Sequence, residues 1–80
     1  MRLSDLEIGE SAVLFRFSED RFGRALQRMG FRRGMWITPV LNRGTLWEYR
    51  IESSLIAFPK NCSEAIEIEQ KTYKSPIMKN

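Results

Sequence analysis

Five arginines are the residues best placed to do chemistry in this chain. Arg21, Arg24 and Arg28 recur at helical spacing, and Arg32 and Arg33 follow just beyond a glycine. A guanidinium is permanently charged and presents a planar fork of N–H donors, so such a cluster suits recognition of carboxylates or phosphates and cannot shuttle protons. The chain has no histidine and one cysteine, Cys62. Without a histidine base, a nucleophile beside an activating group or a Walker-type loop, catalysis finds no support, and the chain reads as a non-enzyme.

The turn Met29-Gly30-Phe31-Arg32-Arg33-Gly34 also invites a phosphate-loop reading, with backbone N–H groups beside two arginines. Phosphate-cradling glycine loops precede a helix, however, whereas this one follows an amphipathic run. A structural turn is therefore expected, each glycine supplying positive φ. Glu67 and Glu69 share the outer face of the last expected strand, with Glu64 nearby. Carboxylates alone at a surface hold a transition metal weakly. Neither a metal site nor a cofactor is assigned.

Something must hold these side chains in place, and 80 residues provide one small domain. A hydrophobic fraction of 42% with 29% charged residues is that of a globular chain, not a disordered one. Lys and Arg number 13 against 10 Asp and Glu, a mild excess of +3 that falls mostly on the arginine run. A single cysteine fits a reducing compartment. The N-terminus does not read as a signal peptide, and no run reaches the roughly 20 apolar residues that span a bilayer. A cytoplasmic protein with no direct membrane insertion is expected.

Ser11 to Phe17 alternates as a strand that is apolar on most of both faces. Ser18-Glu19-Asp20 is a helix start with Ser18 or Asp20 as N-cap, and Phe22, Leu26 and Met29 form the expected apolar stripe. Gly23 is a weak point in that helix, and Gly30 ends it. Met35 to Leu41 is a strand that Pro39 places at an edge or a bulge. Asn42-Arg43-Gly44 is a hairpin turn, and Thr45 to Glu52 alternates with Trp47, Tyr49 and Ile51 on one face. After a turn at Ser53-Ser54, Leu55 to Phe58 is a short apolar strand. A single turn opened by Asn61 or Ser63 leads to a closing strand over 65–69 with Ile66 and Ile68 inward. Residues 71–80 read as a flexible tail, leaving residues 1–70 as the domain. The pattern predicts an all-β fold with a small α insertion: an SH3-like five-stranded β-barrel with one helix after the first strand.

In order and spacing the chain resembles the FeoA family of bacterial ferrous iron transport. Leu3-Ser4-Asp5-Leu6 with Gly9-Glu10 looks like the family's opening Leu-x-x-Leu-x-x-Gly. Arg24-x-Leu26-x-x-Met29-Gly30-Phe31-x-x-Gly34-x-x-Ile37 resembles its central arginine-leucine-leucine-glycine pattern, with Met29 at a leucine position. Leu55-Ile56-Ala57-Phe58 and Glu64-Ala65-x-x-Ile68 look like its closing segment. The hairpin Asn42-Arg43-Gly44-Thr45-Leu46-Trp47 departs from the family's Asp-Pro version, and the glycine often seen before the closing strands is Ser53 or Ser54.

The resemblance implies a cytosolic accessory protein that binds and modulates FeoB, the GTPase-bearing ferrous iron permease, through protein contacts. It carries with it the SH3-like fold. The residues expected to face that partner are Arg21, Arg24 and Arg28 on the helix, Phe31, Arg32 and Arg33 in the turn, and Arg43 and Leu46 in the hairpin. Self-association stays open. A second reading is an SH3-like or OB-like nucleic-acid module using the basic face, with Trp47 and Tyr49 as stacking platforms. Their period-two placement favours a core role, and no nucleic acid is expected. The SH3-like domain of iron-dependent repressors also resembles FeoA, but those proteins add DNA-binding and dimerisation domains.

Overall fold

A computed structural model of the chain describes residues 1–69 and 73–74. A 3-10 turn over Leu3–Asp5 buries Leu3 and leads into β1 (Glu10–Phe17). An α-helix, α1 (Arg21–Arg28), follows β1 directly. β2 (Trp36–Arg43), β3 (Leu46–Ile51) and β4 (Ser54–Pro59) form an antiparallel meander. A second 3-10 segment over Lys60–Ala65 returns the chain to β5 (Ile66–Ile68). Tyr73–Lys74 adds a two-residue β6 against Glu10 and Ser11. The rest of the tail expected over 71–80 lies outside the described residues.

The strands are ordered β4-β3-β2-β1-β5, with β6 also on β1. Five antiparallel strands curl into a half-barrel with one helix after the first, the SH3-like architecture that the sequence pattern predicts. Its closure depends on β1, which pairs with β2 at Ala12 and Val13 and with β5 from Leu14 to Phe17. A register irregularity between Leu14 and Arg16 falls within the pairing with β5, where bulges bend a strand.

Side chains from both halves meet inside. Leu14, Ile37, Tyr49 and Ile66 are fully buried, and Leu3, Leu6, Leu26 and Phe31 seal the ends. Tyr49 and Phe58 stack with ring centroids 4.4 Å apart and an interplanar angle of 10°. Phe31 meets Phe58 at 5.7 Å in a tilted contact. Trp47, Tyr49 and Ile51 therefore serve the barrel interior, as their spacing predicts. Trp47 is half-buried and carries the Lys60 ammonium 3.8 Å above its ring.

Of the two placements expected for Pro39, the bulge is the one found, since β2 is internal, with β1 on one side and β3 on the other. The ladder tolerates it because the register shifts between Pro39 and Leu41, and its carbonyl accepts from the Gly9 N–H at 2.8 Å. The β3–β4 turn is Glu52-Ser53, one residue earlier than expected. Its positive φ, +55°, falls on Glu52 rather than on either serine. A carboxylate oxygen of Glu52 accepts from the Trp36 N–H at 3.2 Å, which ties this uncommon conformation to β2.

Candidate functional site

The arginine-bearing segment is fixed at both ends of α1. Asp20 is the N-cap, and its Oδ1 accepts from the Gly23 N–H at 3.0 Å and from the Ser18 hydroxyl at 2.8 Å. The Gly23 N–H foremost, with the Ser18 hydroxyl second, holds the Asp20 carboxyl below the usual carboxylate range. At the other end Gly30, at φ +106°, reverses the chain, and the Phe31 N–H donates to the Leu26 carbonyl at 3.2 Å. Gly34, at φ +93°, makes the second reversal and donates to the Leu14 carbonyl at 2.8 Å. Leu14 in turn donates to Met35 at 2.9 Å. The turn is thereby stitched to β1, as its two glycines predict.

That stitching sets the arginines around an open groove of about 890 Å³ between β1, α1 and the turn. Arg24, Arg32 and Arg33 line it together with Arg16, Phe15, Phe17 and Gln27. Arg32 is held in place, because its Nη1 donates to the carbonyls of Gln27 and Phe31, each at 2.9 Å. These are carbonyls at the C-terminal end of α1, where a cation is favoured. Arg33 and Arg16 place their guanidinium carbons 5.2 and 5.5 Å from the centroid of the Phe15 ring. Arg16 also pairs with Glu67 at 2.9 Å. Glu19 is the one acidic side chain among the lining residues. The groove therefore offers converging, partly pre-oriented guanidinium forks over aromatic surface, an arrangement suited to carboxylate-bearing or phosphorylated ligands.

The expected contact residues divide accordingly. Arg24, Arg32 and Arg33 come together in the groove, whereas Arg21 and Arg28 are exposed on α1 without lining it. Phe31 also borders the groove but is only 1% exposed, packed against the core from inside the turn. Arg43 pairs with Glu48 at 2.8 Å and Leu46 is exposed beside it, both on the β2–β3 hairpin and outside the groove lining. Sequence reasoning missed Arg16 and Phe15, whose signal was an arginine interrupting the apolar alternation of β1 next to an aromatic residue. The helix stripe also differs from expectation: Phe22 and Met29 are exposed, and Gly23 and Leu26 form the buried strip.

Among the described residues, no three His, Cys, Asp or Glu side chains come together as a metal site. Nor is any helix among them long and apolar enough to cross a membrane. Tyr49 and Trp47 do not form a stacking platform, since Tyr49 is fully buried.

The FeoA domain model matches residues 1–70. A comparison with curated proteins gives no match. Among solved structures, the zinc-complexed FeoA of Stenotrophomonas maltophilia, a prokaryotic SH3 domain protein, superposes with a TM-score of 0.79 at 20% identity. That match covers 92% of this chain and 96% of the other. A FeoA-like protein from Clostridium acetobutylicum gives 0.79 at 21% identity, covering 86% and 84% of the two chains. A manganese-dependent transcriptional repressor gives 0.73 at 17% identity, covering 85% of this chain but 40% of that one. At these identities the likenesses concern the fold, and the repressor shares it in one part of its length. The family match spans most of the sequence, and the chain belongs to the FeoA domain family.

Proposed function

We propose that this protein is an accessory factor of ferrous iron transport that works at the cytosolic face of the membrane by binding the permease FeoB and modulating it. Family membership supports the transport role. The observation that carries the binding mode is the groove in which Arg16, Arg24, Arg32 and Arg33 converge over Phe15. Guanidinium forks recognise anionic groups, so the complementary surface on the partner is acidic. Exposed guanidinium groups contribute little singly, but together they raise the encounter rate with such a surface and orient it.

Arg21 and Arg28 extend the charged face beside the groove, and Arg43 and Leu46 offer a second contact on the hairpin. Of the two stacking residues of the nucleic-acid reading, Tyr49 is fully buried and Trp47 half-buried. Two measurements on iron-limited cells test the proposal. Deleting the gene lowers ferrous iron uptake, and tagged protein recovers the permease from detergent-solubilised membranes. Unchanged uptake together with no recovered permease contradicts it.

A further inference from the structure

The two ends of the sheet are treated differently. At the β5 end the N-terminal segment covers the strand: Ile68 donates to the Met1 carbonyl at 2.9 Å, and Arg2 forms a bridge with Glu67. At the other end, among the described residues, β4 pairs with β3 alone. Edge strands are normally blunted by charge, proline or a covering segment. β4 reads Ser-Leu-Ile-Ala-Phe-Pro and carries no charge, with its one proline at the last position.

The register shows which backbone groups are left over. Ile51 opposite Ser54 closes the two-residue turn, so Tyr49–Ile56 and Trp47–Phe58 are the hydrogen-bonded pairs that follow. Leu55 and Ala57 therefore direct their N–H and C=O groups away from β3, and Pro59, next in the series, has no N–H to offer. Leu55 is 57% exposed and Ala57 is exposed beside it, so the strand's outer face is apolar where its edge is open.

We propose that β4 is a self-pairing edge: two copies of this chain join β4 to β4 antiparallel about a two-fold axis through Ile56. This register sets Leu55 opposite Ala57 of the second copy, and reciprocally. Each pair exchanges two backbone hydrogen bonds, so the free groups of both strands are matched and Pro59 is not asked to donate. Leu55 and Ala57 from the two copies form one apolar patch. The charged side chains of the adjoining strand, Glu48 and Arg50, lie opposite Ala57 and Leu55 within each copy, so no charged residue meets another across the axis. A single strand-to-strand seam is at the small end of specific interfaces, so the dimer is weak and concentration-dependent.

Sedimentation equilibrium on the full chain tests this, comparing wild type with Leu55→Lys and Ala57→Pro. Neither change removes a hydrogen bond to β3. The wild-type mass is expected to rise from 9.4 kDa toward twice that value with concentration. Both variants are expected to stay monomeric over the same range with unchanged circular dichroism. Should either variant misfold, hydrogen exchange on wild type decides: the Leu55 and Ala57 amides gain protection with concentration, while the Ile56 amide is protected throughout. A wild-type chain that remains monomeric, a folded variant that dimerises as well as wild type, or concentration-independent exchange at Leu55 and Ala57 overturns the proposal.

Discussion

A Cβ built on Gly23 would overlap the backbone carbonyl oxygen of Ser18, which explains a glycine in the middle of α1. Helix propensity alone predicts that alanine there stabilises by about 1 kcal/mol. The close approach reverses the sign: Gly23→Ala is expected to destabilise by about 1–3 kcal/mol, the usual effect of overpacking, as read from urea unfolding. Tyr49 presents the opposite case. Its hydroxyl is buried with no hydrogen-bond partner among the described residues, and the Ser63 hydroxyl donates to the Lys60 carbonyl. Burial raises the phenol's pKa. A raised folded-state value stabilises fully below the unfolded value near 10 and is lost as pH climbs through the folded value. Tyr49→Phe is therefore expected to be neutral or stabilising by about 1 kcal/mol at neutral pH, and to flatten the alkaline limb of the stability profile.

The helix owes its position to its ends more than to its stripe. Asp20 is a cap whose carboxyl is held low by the Gly23 N–H and the Ser18 hydroxyl. A lowered folded-state pKa stabilises above the unfolded value near 3.9 and is lost as pH falls through the folded one. Asp20→Ala should therefore lower Tm at pH 7 and cost progressively less in acid, measured by thermal melts across pH. Leu26 is the one large side chain that α1 buries, and Leu26→Ala is expected to cost about 2–5 kcal/mol. The helix was readable from its caps and terminal glycine, but its buried face was not. An eight-residue helix rests on the barrel along the narrow strip Gly23–Leu26, and a sequence does not distinguish a glycine that breaks a helix from one that lets two backbones touch. The strands were legible because period-two alternation at Trp47, Tyr49 and Ile51, and at Ile66 and Ile68, survives in any register that buries them. Arg16 and Phe15 were missed for the converse reason: their partnership with Arg33 depends on the turn being stitched to β1, a tertiary fact.

Over the whole molecule, a mild net charge of +3 conceals a local concentration of cations around one groove, which is where an acidic partner surface would be drawn. Isothermal titration of the purified chain against the cytosolic GTPase domain of the permease measures this directly, with wild type compared to the double variant Arg24→Glu, Arg33→Glu. Both residues are exposed, so the reversals should leave the fold intact. The account predicts saturable wild-type binding that weakens as salt is raised. It also predicts at least about a tenfold loss, about 1.4 kcal/mol, in the double variant. Absence of wild-type binding at low ionic strength, or equal affinity of the two proteins, would contradict it.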